Sequence, residues 1–233
     1  QGFVENTVVE GPIEGKSEQI LARLPTVINE TVRAEDRLFL FLNFMDTHIR
    51  YNDAKYGREF GLHGQAPIRN AEQKWKVSAG KHTMTPDDIR DRGAAYDAAV
   101  RHLDDVIRDI FELLQETNIL DQTLVILTSD HGDGLGSHQE MGHSISVWEE
   151  QLAVPLLVRL PDAGRGGEEV TRPVSLVGLA PFILDTIGID RPVTLRGVAS
   201  LDDPSGDPVC ADYQSYFFDT RRQTNVRIAE LYP

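Results

Sequence analysis

The sequence has 233 residues, 40% of them hydrophobic and 26% charged, with 37 acidic side chains against 23 basic ones and a net charge of −14. A chain of this size can bury its own core and suits one large α/β domain with a small appendage; no apolar run approaches the length that crosses a bilayer, and the negative field disfavours the phosphate backbones of nucleic acids. The single cysteine, Cys210, excludes an intrachain disulfide framework and a thiolate metal cluster.

In chain order, the opening QGFVENTVVEGP has neither an initiator Met nor the basic-then-apolar pattern of a secretory signal, so a processed or partial chain is expected and the compartment stays open between cytoplasmic and secreted. Residues 16–34 carry Ile20, Leu21, Leu24, Val27, Ile28 and Val32 at helical spacing, with a kink or a short irregular stretch expected at Pro25. The run LFLFLNFM, Leu38 to Met45, is continuously apolar and predicts a strand covered on both faces, ending in Asp46, Thr47 and His48. Residues 49–84 keep no period and predict a long surface excursion, of the kind that lines a substrate site or is inert.

At TPDD, Thr85 suits a helix cap, Pro86 the first helical position, and Asp87 and Asp88 the positive end of the dipole. The helix that follows has an apolar stripe of Tyr96, Val100, Leu103, Ile107, Ile110 and Leu114. A strand from Leu124 to Thr128, a brief helix, a strand from Val154 to Leu160 and an apolar helix from Gly178 to Ile187, ended by Gly188, complete the readable pattern. This alternation predicts an α/β fold, a sheet with covered faces. Residues 161–172 and 201–208 are expected to be mobile loops. All five lysines lie before residue 82, and the acidic balance fits either a salt-adapted protein or an ordinary acidic soluble one.

Chemistry concentrates at TLVILTSDHGDGLGSH, residues 123–138. Consecutive strand residues point to opposite faces, so Asp130 and His131 converge on one ion only if the strand ends and the backbone turns, which Gly132, Gly134 and Gly136 permit. Carboxyl ends of strands are where open α/β sheets bind ligands, and Asp46 and His48 end their own strand in the same way. Carboxylate beside imidazole suits calcium, magnesium, manganese or zinc. The pattern alone leaves open that Asp130 caps the turn and that His131 is a satisfied loop histidine.

Several segments in order then carry a resemblance. LFLFLNFMDTHIRY is similar to a strand followed by D-P-H-x-P-Y; YDAAVRHLDD with LLQETNILDQTLVILTSDHGDGLGSH and MGHSISVWEEQLAVPLLVR resembles the second half of a sulfatase of the alkaline-phosphatase-like superfamily; VSLVGLAPFILDTIGI is similar to a late helix of that family. The resemblance implies an α/β fold that is part of a mixed, mostly parallel sheet sandwiched by helices. It also implies that Asp130 and His131 are two ligands of a catalytic divalent metal, calcium in the first place, with magnesium, manganese or zinc as alternatives. It implies that His48 contacts the sulfate and leaving-group side of the pocket, and that His143 binds the transferred group or the leaving oxygen. His138 is expected to have a structural loop role.

The family's first half carries two adjacent metal-binding aspartates and a C-x-P-S-R or S-x-P-x-R segment whose Cys or Ser becomes formylglycine. Neither occurs in these 233 residues, and Cys210, in DPVCADY, lacks the required Pro and Arg. The resemblance therefore implies the C-terminal part of a metal-dependent sulfatase hydrolysing sulfate esters, inactive by itself. Residues 1–190 are expected in the α/β domain, and residues 191–233, ending in RIAELYP, in a remnant of a small antiparallel subdomain. The implied partners are a sulfated small molecule or carbohydrate, and the missing N-terminal portion or another copy of the chain. The alternatives are a phosphodiesterase, phosphonate hydrolase or phosphotransferase of the same superfamily, and a non-catalytic binding fragment.

Overall fold

The computed structural model describes residues 16–34, 37–48, 51, 55–62, 71–143, 146–195, 197, 216–219 and 224–227. Its helices are α1 (Lys16–Ala34), α2 (Ala71–Ser78), α3 (Pro86–Glu116), α4 (Glu149–Leu152) and α5 (Leu179–Thr186). Its strands are β1 (Val125–Thr128), β2 (Gly134–Leu135), β3 (Met141–Gly142), β4 (Leu156–Arg159), β5 (Tyr216–Asp219) and β6 (Thr224–Arg227). Two compact units result: the first holds α1 to α4 with β1 to β4, and the second holds α5, β5 and β6. Among the described residues no helix is long and apolar enough to cross a membrane.

The core of the first unit follows from two helical stripes. Leu24 and Ile28 of α1 meet Leu114 of α3, and Ile20, Leu40, Leu42, Ile110, Leu113, Ile119, Leu120 and Val125 pack around them. Ile28 is fully buried, a contribution of about 1.5–3 kcal/mol from its side chain. α1 runs without a break through Pro25, where a kink or irregular stretch was expected; the Asn29 amide donates to the Pro25 carbonyl at 2.7 Å. α3 starts as its sequence requires. Thr85 Oγ1 accepts from the Asp88 amide at 3.1 Å while Asp88 Oδ2 accepts from the Thr85 amide at 2.8 Å, a reciprocal cap. Its face toward Tyr51 and Leu62 is built from Ala95 and Ala99.

Three expectations are corrected. The 37–45 segment is extended but forms no strand, and only its alternate side chains are covered: Leu40 and Leu42 join the core while Phe41 is 82% exposed. A strand needs a continuous ladder, and no strand pairing among the described residues includes this segment. Strand pairs among the described residues are all antiparallel: β1 with β4 (Val125 opposite Arg159, Thr128 opposite Leu156), β2 with β3, and β5 with β6, so no mostly parallel sheet is present there. The expected excursion over 49–84 contains a helix, α2, whose Val77 is buried against Met84 and Met141. Residues 201–208 and Cys210 lie outside the described residues; residues 161–163 form a single 3-10 turn.

Candidate active site

β1 delivers its cargo through a tight hydrogen-bonded corner. Ser129 Oγ donates to the His131 carbonyl at 2.7 Å, and the His131 amide donates to Asp130 Oδ1 at 3.1 Å, so Asp130 does brace the turn. His131 Nδ1 lies 2.8 Å from the Gly132 carbonyl, a contact that requires the proton on Nδ1. Nε2 lies 3.8 Å from Asp130 Oδ2, and the Asp130 side chain is 87% exposed. A metal-binding imidazole is commonly oriented in this way, its second nitrogen donating to a backbone carbonyl.

The glycines of the loop serve two separate needs. Gly136 has φ +112 and Gly142 φ +75, values that favour glycine. At Gly132 an added Cβ would lie 2.1 Å from the Glu150 carbonyl oxygen, because the α4 segment presses against the loop and the Gly132 amide donates to the Gln151 carbonyl at 2.9 Å. The β2–β3 ladder pairs Gly134 with Gly142, so its next position sets Asp133 opposite His143. Their side chains meet with Asp133 Oδ1 3.3 Å from His143 Nδ1.

Around His143 the structure gathers three imidazoles from separate parts of the chain. Its ring centroid is 3.8 Å from that of His131 and 5.2 Å from that of His48. Burial, then the neighbouring His131, Lys74 and His48, hold His143 down at about 4, so it is a neutral imidazole near pH 7 rather than a cationic one. Lys74 Nζ donates to the His143 carbonyl at 2.8 Å, and burial followed by Arg92 lowers its own pKa.

Asp133 is the buried anchor beneath these rings. Its Oδ2 accepts a hydrogen bond from the Tyr51 hydroxyl and another from Arg92 Nη2 at 3.3 Å. Burial pushes the Asp133 carboxyl up to about 7 and the Arg92 guanidinium down to about 10. Tyr51, Lys74, Arg92 and Asp133 were not singled out in the sequence. The available signals were slight: Asp133 stands two residues beyond His131, and Arg92 precedes the alanines of α3. His138 sits apart from the ring cluster's contacts, stacked flat on Trp148 at 4.0 Å with Nδ1 2.7 Å from Glu150 Oε1. A further group that could hold a metal, Glu18, Asp46 and His102, places one ligand atom of each residue within 4.8 Å of the others.

Comparison with known proteins gives a family and a fold. A family model described as "Sulfatase" matches residues 3–189. Arylsulfatase K from Danio rerio is 35% identical over 114 residues, which are 49% of this chain and 21% of that protein. The multifunctional alkaline phosphatase superfamily protein PehA from Trinickia caryophylli is 32% identical over 116 residues, 49% of this chain and 22% of that protein. Among solved structures, a phosphonate monoester hydrolase from Silicibacter pomeroyi superposes with a TM-score of 0.60 at 23% identity, covering 81% of this chain and 40% of that one, which shows a shared fold. The chain thus spans between 21% and 30% of the length of the arylsulfatase K relatives it matches.

Proposed function

Because this chain belongs to the sulfatase family, we propose that it is the C-terminal part of a metal-dependent sulfatase that hydrolyses sulfate esters, with residues 1–190 in the α/β domain and 191–233 in a partial smaller subdomain. The observation that carries the reading is the meeting of His48, His131 and His143, with ring centroids 3.8 and 5.2 Å apart, beside Asp130 and over Asp133. Asp130 and His131 supply two ligands to a divalent ion, calcium first among the candidates. The donor set fits such an ion: one hard carboxylate oxygen and one imidazole lone pair fixed by a backbone carbonyl. When bound, the ion supplies Lewis-acid charge at the sulfuryl oxygens.

The chain's own residues do the rest. His48 and His143 flank the leaving-group side. Asp133, pushed up to about 7, and neutral His143 share a proton across their 3.3 Å contact. With Asp133 ionised, His143 Nδ1–H donates to it and Nε2 accepts a hydrogen bond; once the pair takes up one further proton, Asp133 carries one proton and Nε2 the other, which Nε2 donates to a departing oxygen. The buried Tyr51 and Arg92 hold Asp133 in place. The likeness to PehA favours phosphoesters as a second substrate class, reached by the same oxyanion chemistry.

The test uses an aryl sulfate and an aryl phosphodiester with this chain and with a longer protein that contains it. This chain alone is expected to turn over neither, since no nucleophile segment of the family type occurs in its sequence; robust hydrolysis by the purified chain would overturn that expectation. In the longer protein His143→Ala should lower kcat by about 10²- to 10⁴-fold, and preference for the diester would move the assignment to phosphoesters. Asp130→Ala should strip the active-site ion, as read by metal content, and unchanged content would remove Asp130 from the ligand set.

A further inference from the structure

A second group of metal-competent side chains lies where the start of α1, the end of the 37–48 segment and the middle of α3 meet. Asp46 is its buried member, with a side chain only 10% exposed. Oδ1 of Asp46 accepts from the Ser17 hydroxyl at 2.6 Å, and Ser17 itself is fully buried. Oδ2 is buried with no hydrogen-bond partner among the described residues. A carboxylate oxygen removed from water without a donor is unfavourable, and a cation is the group that would compensate it. From α3, His102 Nε2 stands 3.5 Å from Asp46 Oδ1 and 3.2 Å from Glu18 Oε1. Glu18 is 59% exposed, so one side of the group opens to solvent and offers an ion a way in.

The spacing discriminates among ions. A tetrahedral zinc ion with ligands at about 2.0–2.1 Å sets them about 3.3–3.4 Å apart along each edge. Two of the three pairs already stand near that separation. Calcium takes six to eight oxygen ligands, and this group offers two carboxylates and an imidazole. We propose that Glu18, Asp46 and His102 form a zinc-class transition-metal site, with water as the fourth ligand and the Ser17 hydroxyl orienting Asp46. The ion ties the first turn of α1 to α3 and to the 37–48 segment, and acts as a structural clamp. The proposal uses none of the residues assigned to sulfate-ester chemistry, so either reading can fail without the other.

The experiment takes tag-free protein, removes metals with a chelator, and titrates zinc chloride and separately calcium chloride by calorimetry, with melting temperature followed in parallel. One equivalent of zinc should bind, raise the melting temperature and resist competition by calcium. Cobalt(II) in its place should give the visible bands of a tetrahedral centre. Glu18→Gln, at an exposed position that leaves folding intact, and His102→Ala should each weaken zinc binding by at least about 10-fold and abolish the cobalt bands, whereas Asp130→Ala should leave both unchanged. A zinc equivalent that survives Glu18→Gln and His102→Ala, or one lost only with Asp130→Ala, would overturn the site.

Discussion

At Gly132 a single hydrogen atom in place of a side chain decides whether the loop after β1 closes. An alanine there would drive its Cβ to 2.1 Å from the backbone oxygen of Glu150, and a backbone atom cannot swing away as a flexible side chain would. Gly132→Ala should therefore destabilise the first unit by about 1–3 kcal/mol, visible as a lowered urea midpoint. Arg92 poses the opposite problem, a charge fully enclosed beneath the rings and compensated by Asp133 and the Tyr51 hydroxyl. Arg92→Ala should cost about 3–5 kcal/mol, because Asp133 would be left buried without its cation. A loss below about 1 kcal/mol in denaturant unfolding would count against that coupling.

Among the elements, α3 organises the first unit, and its stability has an identifiable acid-sensitive part. Asp105 accepts from the Tyr56 hydroxyl, from Arg101 at 2.6 Å and from Arg108 at 2.6 Å; these bonds hold its carboxyl well below the ordinary carboxylate range. A carboxyl depressed in the folded state contributes stability above its ordinary value near 3.8 and loses that contribution as pH falls toward the depressed value. Asp105→Asn should flatten the acid limb of the stability profile below pH 4, as followed by circular dichroism; an unchanged limb would dismiss Asp105 as its source. The apolar stripe and TPDD made α3 legible in advance, since both signals are local. The 38–45 run was legible as extended chain but not as half-covered, because coverage depends on which neighbours pack on it.

On the scale of the whole molecule, a net charge of −14 repels itself, and counterions screen that repulsion. The melting temperature should rise as potassium chloride is increased from low ionic strength, and a flat response would show that the charges are too dispersed to matter. The sequence by itself determined the elements with strong local signals: α1, α3, α5, β1 and β4. It also singled out Asp130, His131, His48 and His143 as candidate site residues, through their places in ordered motifs. Local periodicity and turn chemistry need no knowledge of neighbours, so they are readable from a string. Only the tertiary structure brought the three imidazoles together and set Asp133 under His143 through the β2–β3 register. The same folding enclosed Arg92 and Tyr51, and it drew His102 to Asp46 and Glu18 across 56 and 84 positions of chain. Burial and through-space charge then left His143 neutral and raised Asp133, and those shifts depend on distances that folding alone sets.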